Sequence, residues 1–306
     1  MLISFLEWLK SFVVKQASLI DIIAPSSPPK NNQWKKGIKI LQSWGLKTRF
    51  PSSALDPYLF HSNRDQKRAF FLNQAFFSKD SFAVWMLRGG YGFQKLMPSF
   101  IKRYSKKAKK KLFIGYSDGT ALHLYLNQQN QETLHAPTVS ELADLTQKEL
   151  SSLKGILLAE KKEIVFKNLK LFNSSFSGTL KGKIRGGNLS LLSSSMGVPW
   201  LSSFKSGFLF LEDVNEEDYK VDRMLHHLFY AGALKSVQAI LFGNFNPLNK
   251  KSFLKALQSF SQVCSIPLIY DLPCGHSRRY PLPFNTPSSL TFQNGKACLT
   301  VSRVSI

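Results

Sequence analysis

Short apolar runs alternating with stretches of helical periodicity constrain this chain more than any other feature. Residues 18–24 (Ser-Leu-Ile-Asp-Ile-Ile-Ala) read as a first strand, stopped by Pro25-Ser26-Ser27-Pro28-Pro29. A helix is expected near 33–44 and a second strand over 46–50, while Ala69, Phe70, Leu72 and Phe76 give 64–77 a helical face. Phe82 to Leu87 is an unbroken apolar strand closed by Arg88-Gly89-Gly90-Tyr91-Gly92, and Leu112 to Tyr116 is the next. Strands that alternate with helices predict a parallel sheet with both faces covered, so the class is α/β. Residues 147–183 shift toward Lys, Ser and Asn, which places a domain junction near 170 and divides the chain into 1–170 and 171–306. The second part offers an apolar stretch at 189–195, strands at 208–212, 239–242, 266–270 and 288–304, and helices over 216–230 and near 250–262.

Leu2, Phe5, Leu6, Leu9, Phe12 and Val13 recur at helical spacing and predict an amphipathic extension over 1–17. Glu7 and Lys10 interrupt what would be a signal-peptide core, and a cleavage site of small residues is lacking. The expected compartment is therefore the cytoplasm. No run of about 18 apolar residues occurs, so no transmembrane helix is expected. Three cysteines (264, 274 and 298) argue against a disulfide framework, and no Cys/His set has metal-ligand spacing, so neither a metal nor a cofactor is expected. His226 and His227 are adjacent and would point about 100° apart on a helix.

The formal net charge is +22, from 41 Lys and Arg against 19 Asp and Glu. Residues 102–111 alone carry seven positive charges. Such a run can bind nucleic acid or anionic lipid. It precedes the 112–116 strand, at the edge where strands begin, and reads as a solvated loop or helix end rather than a specific nucleic-acid site.

Gly115-Tyr116-Ser117-Asp118-Gly119 fits G-x-S-x-G between that strand and a helical stretch from Thr120. This is the sharp strand-to-helix turn that lifts a serine hydroxyl out of a sheet and aims helix N–H groups beside it. The same pattern also arises where a serine caps an ordinary helix. A serine nucleophile needs a histidine base oriented by a carboxylate. Of the six histidines, His276 stands out because Pro273-Cys274-Gly275-His276 follows the 266–270 strand, and strand ends carry ligand chemistry in α/β folds. His123 is expected to face the sheet or solvent. Glu212 and Asp213 end the apolar strand 208–211 and are the candidate acids.

Taken together, Arg88–Gly92, Gly115–Thr120, Gly186-Gly187-Asn188-Leu189, Leu209–Asp213 and Gly275-His276 resemble the LD-carboxypeptidases: the muramoyltetrapeptide carboxypeptidases and the related microcin C immunity serine peptidases. Ala24-Pro25-Ser26-Ser27-Pro28 and Pro281-Leu282-Pro283 match as well, so the resemblance spans about 18–300. It implies an N-terminal parallel-sheet domain of class I glutamine amidotransferase-like form and a C-terminal mixed, barrel-like domain supplying the Glu and His. It implies a triad of Ser117, Glu212 and His276, with an oxyanion hole from the N–H groups of Gly90 and Asp118. Substrate contacts fall to Arg88, Gly89, Tyr91 and Asn188. Arg88 would either hold a substrate carboxylate or tie loops together, and Asn188 and Glu216 would order the site from behind. The implied substrate is a muropeptide cut at its L-to-D bond, tetrapeptide to tripeptide plus D-alanine, in cell-wall recycling. A homodimer is left open.

Two positions depart from the family pattern: Ala136 lies between His135 and Pro137, and Asn215 follows Val214, where glycine is common in both. Three other readings stand beside this one. An immunity-type peptidase would cleave aminoacyl-nucleotides and need an aromatic side chain against the base. A plain α/β-hydrolase esterase would fold as one domain. A non-catalytic basic protein binding nucleic acid or wall polymer would account for the charge.

Overall fold

The computed structural model describes residues 18–104, 111–173, 176–198, 200–201, 204, 206–246 and 248–305. The expected helix over 1–17 and residues 105–110 of the basic run lie outside the described residues. The first half runs β1 (Leu19–Ile23), α1 (Gln33–Ser43), β2 (Lys47–Arg49), α2 (Asp65–Phe77), β3 (Ser81–Met86), α3 (Met97–Arg103), β4 (Leu112–Gly115), α4 (Thr120–Gln128), β5 (Thr133–His135) and α5 (Gln147–Leu157). The second runs β6 (Glu163–Leu171), β7 (Gly178–Asn188), α6 (Leu189–Ser194), β8 (Gly207–Val214), α7 (Asp218–Tyr230), β9 (Val237–Asn246), α8 (Lys250–Ser261), β10 (Leu268–Tyr270), β11 (Leu282–Phe284), β12 (Pro287–Gln293) and β13 (Lys296–Ser302).

Six strands form the first sheet in the order β11-β5-β4-β3-β1-β2. The five from the N-terminal half pair in parallel. Both faces are buried, which is why β3 and β4 read as continuous apolar runs rather than alternating ones. Ala83 and Trp85 pack with Leu41 and Leu46 on one face, whereas Val84 and Met86 meet Leu72, Phe76 and Phe100 on the other. Seven strands close a barrel in the order β10-β6-β13-β12-β7-β8-β9. β7, β8, β9 and β10 run parallel, and β6, β12 and β13 join them antiparallel. Phe208 and Phe210 of β8 point into a core continuous with one face of the first sheet, while Leu209 and Leu211 pack outward against Val221, Leu225 and Leu257 of α7 and α8. The α/β class, the parallel sheet and the barrel are as expected.

Several elements escape sequence inspection because they are short. β5 and β11 have three residues each. β11 contains Pro283, which ordinarily demotes a strand; it survives here because β11 is the edge strand of the first sheet, paired antiparallel with β5. The 288–304 stretch is a hairpin, β12 and β13, turned at Asn294 (φ 51°) and Gly295 (φ 70°) as a two-residue type I′ turn demands. β6, which straddles the expected junction near 170, pairs with β10 and β13 in the barrel. Among the described residues no helix is long and apolar enough to cross a membrane.

Lys111, the last residue of the basic run, is not solvated. Its side chain is fully buried, donates to the Ala75 carbonyl at 2.6 Å and lies 3.7 Å from Asp21 Oδ2. Asp21 also accepts from Arg49 Nε at 2.6 Å and Nη2 at 3.0 Å. A charge buried beside β1 and β4 is tolerable only with this compensation. Asp21→Ala, which removes the carboxylate from a buried ammonium, is expected to cost about 3–5 kcal/mol in chemical denaturation. Asp80→Ala, which removes only an exposed partner of Arg49, is expected to cost less than about 1 kcal/mol.

Candidate active site

β4 is buried throughout, and the chain leaves it through Tyr116 into a serine held in the left-handed region, with φ of 56° at Ser117. A non-glycine residue there costs on the order of 1–3 kcal/mol and persists only where the surroundings enforce it. Both flanking glycines are explained by one side chain: a Cβ at Gly115 or Gly119 would come within 2.6 Å or 2.5 Å of the Met86 sulfur. Met86 therefore fills the inside of the turn and pushes Ser117 outward. A short 3₁₀ turn over Ser117–Gly119 then leads into α4. Thr120 locks the turn, donating from Oγ1 to the Ser117 carbonyl at 2.7 Å and accepting from the Asn188 N–H at 3.0 Å. A Cβ at Gly187 would sit 2.5 Å from that same Oγ1, so the end of β7 presses directly on the elbow.

Across the junction, Glu212 lies fully buried in β8 and its Oε2 is 2.6 Å from His276 Nδ1. A carboxylate accepts only, so Nδ1 carries the proton and Nε2 is left as the basic nitrogen. The other carboxylate oxygen, Oε1, has no hydrogen-bond partner among the described residues. Burial opposes charging of His276, but the Glu212 charge and hydrogen bond outweigh it and raise the imidazole above its ordinary value. Gly275 permits the approach: its φ is 129°, and a Cβ there would stand 3.2 Å from Glu212 Oε2 and 3.3 Å from the Asn244 N–H. The His276 ring packs on Tyr116, the residue preceding Ser117, with centroids 4.7 Å apart. The fold thus pairs residues 212 and 276 and sets 276 against the neighbour of 117. Ser117 and His276 are not themselves hydrogen-bonded, and resting sites of this kind often tighten only with substrate bound.

The loop after β3 forms the facing wall. A Cβ at Gly89 would lie 3.1 Å and 3.2 Å from Ser117 Cβ and Oγ, and 4.0 Å from the Asp118 nitrogen. Gly90 has φ of 111°, and a Cβ there would overlap Ser27 Oγ at 2.5 Å. The Asp118 carboxyl faces away, accepting from Phe93 N–H at 2.8 Å, and burial raises its pKa to about 6. Tyr91 is half exposed and packs against His61 and Phe60. Arg88 donates to the Pro28 carbonyl, the loop-tying use that the sequence left open. Asn188 donates to Asp213 Oδ1 at 2.8 Å and caps α6 by accepting from Leu191 N–H at 3.1 Å.

The other histidines are accounted for by packing. His123 is fully buried, bridging the Gly115 carbonyl at 2.9 Å and Thr133 Oγ1 at 2.7 Å, and burial lowers its pKa to about 4. His226 lies along α7 beside Asp222, and His227 meets Ser193. Among the described residues no group of His, Cys, Asp or Glu is placed to hold a metal. Asn215 has φ of 63°, which asparagine tolerates in place of glycine. Glu216 makes no hydrogen bond among the described residues. Sequence inspection missed Thr120 and Tyr116, which matter through contacts with Asn188 and His276, 68 and 160 positions away.

A strained serine at a strand–turn–helix, preceded by a tyrosine that packs on a carboxylate-bound histidine, is an arrangement suited to acyl transfer. Comparison with known proteins gives the class a family. The LD-carboxypeptidase N-terminal domain model matches residues 20–136 and the C-terminal domain model residues 181–290. A putative carboxypeptidase of Rickettsia conorii is 34% identical over 89% of this chain and 87% of its own length. A probable murein peptide carboxypeptidase of Bacillus subtilis is 28% identical over 87% of this chain and 86% of its own. The crystal structure of muramoyltetrapeptide carboxypeptidase from Oxalobacter formigenes superposes with a TM-score of 0.82 at 26% identity, covering 94% of this chain and 100% of that one. The chain belongs to the LD-carboxypeptidase family and is a peptidase of that family.

Because Glu212 holds His276 toward its charged form, His276 is expected to titrate above the ordinary imidazole value near 6.5. Glu212→Gln removes the charge, so the midpoint should fall. Side-chain NMR of histidine-labelled protein measures both.

Proposed function

We propose that the protein is a serine peptidase that hydrolyses the L,D amide bond at the C-terminus of muropeptides, releasing D-alanine from the tetrapeptide. The observation that carries this reading is the 2.6 Å Glu212–His276 pair, packed beside the residue that precedes a serine of positive φ. Family membership and the names of the relatives support the substrate class. In this reading Ser117 Oγ attacks the carbonyl carbon while its proton passes to His276 Nε2. The carbonyl electron pair moves onto oxygen, which meets the N–H groups of Gly90 and Asp118. Neither N–H has an acceptor among the described residues, and each such donor is worth about 10²–10³ in rate. Collapse expels the amine, which takes the proton from Nε2; water then releases the acyl group by the same relay.

The remaining roles follow from placement. Gly89 lets substrate lie against Ser117 without a Cβ between them. Arg88 has five N–H donors, so those not engaged with Pro28 can face a substrate carboxylate, with Tyr91 beside it. Asn188 acts from behind, through Thr120 and Asp213. Muropeptides carry several carboxylates, and a net charge of +22 favours their approach. The release of D-alanine suits the recycling of wall peptides.

The test is mass spectrometry of purified muramoyl tetrapeptide incubated with the protein. Tripeptide and D-alanine are expected, and Ser117→Ala should lower the rate by about 10³-fold or more with the fold intact by circular dichroism. Full activity in that variant would remove Ser117 as nucleophile. An aminoacyl-nucleotide cut while tetrapeptide is left whole would transfer the site to the immunity-type reaction.

A further inference from the structure

We propose that Tyr116 is a positioning residue that holds the His276 ring and supports its positive charge during turnover; this rests on the assignment of His276 as the base. The observation is a clamp. The Tyr116 ring lies 4.7 Å from the His276 ring at an interplanar angle of 47°. Its hydroxyl donates to Glu141 Oε1. Glu141 is in turn fixed by the Thr138 N–H, which donates to Oε2 at 2.9 Å, and by the Thr138 hydroxyl at 2.5 Å. The Tyr116 ring also meets His135 in a T-shaped contact, with centroids 5.5 Å apart. The tyrosine is 3% exposed and cannot turn away.

The chemistry asks for such a group. When Ser117 gives up its proton the imidazole becomes a cation on a largely buried side chain. Glu212 answers that charge at Nδ1 only. An aromatic ring against an imidazolium is attractive through its quadrupole. A phenol that donates to a carboxylate is more electron-rich, and Glu141 places a negative charge behind the ring. The groups facing His276 from the packed elements are Glu212 and Asp213 of β8, Glu141 of the 139–144 turn, Tyr116 after β4, and His135 of β5. Arg279 on the histidine's own loop opposes Glu141 from the Tyr116 side. His135 is fully buried and burial holds it neutral, so it adds no competing charge.

Tyr116→Phe keeps the ring and loses the anchor; Glu141→Gln keeps an acceptor for Tyr116 and Thr138 but loses the charge. In both, the His276 midpoint measured by NMR should fall. The acid limb of kcat/KM should move to lower pH with it, because the base must be neutral to work. kcat should drop about threefold to tenfold with KM unchanged. Tyr116→Leu should lose more, about tenfold or beyond. A His276 midpoint, acid limb and kcat all equal to wild type in Tyr116→Phe and Glu141→Gln would overturn the proposal. The NMR arm needs no turnover. Wild-type activity in His276→Ala would defeat the assignment of the base itself, a different result from a silent Tyr116→Phe.

Discussion

Three residues of edge strand, Leu282 to Phe284, hold this molecule in working order. They leave the histidine loop and pair antiparallel with Thr133 to His135, the strand beside β4. Because β4 ends in the serine elbow and the loop before β11 carries His276, this short ladder ties the two halves of the site to one sheet. The other end of the tie is Thr120, which hydrogen-bonds Ser117 and Asn188 at once. Between these two points the barrel cannot slide on the sheet without breaking buried hydrogen bonds. A shared apolar core running from Trp85 and Leu134 to Phe210 and Leu241 makes such a slide costlier still.

Strain and burial at the site are matched to this frame. Ser117 in the left-handed region and the buried Glu212 would each be unfavourable alone. Met86 under the turn, Thr120 across it and the His276 ring against the carboxylate supply the compensation. The glycines follow the same logic. Gly90 and Gly187 sit where another side chain already occupies the space that a Cβ would need, and Gly89 and Gly275 where a Cβ would crowd its neighbours. They are marks of close approach rather than of looseness.

Much of this is legible in the sequence, and unevenly so. Long apolar runs such as Phe82–Leu87 and Phe208–Leu211 disclose their strands, since a strand buried on both faces has few polar positions to confuse the reading. Glycine-bracketed Ser117 and the strand-end positions of Glu212 and His276 point to a site because chemistry restricts those residue types. β5 and β11 are too short to show periodicity, and Pro283 disguises one of them. Lys111 reads as solvated from its neighbours. Only the fold reveals that it reaches inward to Asp21, 90 positions earlier.

The sequence by itself determined the class of fold, the alternation of strands and helices from β1 to β3, the strand and helix around Ser117, and the residue types able to carry acyl transfer. These depend on local patterns of polarity and on chemical identity, both of which are written residue by residue. The tertiary structure decided which edge β11 joins, which nitrogen of His276 bonds Glu212, that Tyr116 packs on His276 and that Thr120 links Ser117 to Asn188. Those are distances between positions far apart in the chain, set by closure of the barrel onto the sheet, and no local pattern encodes them.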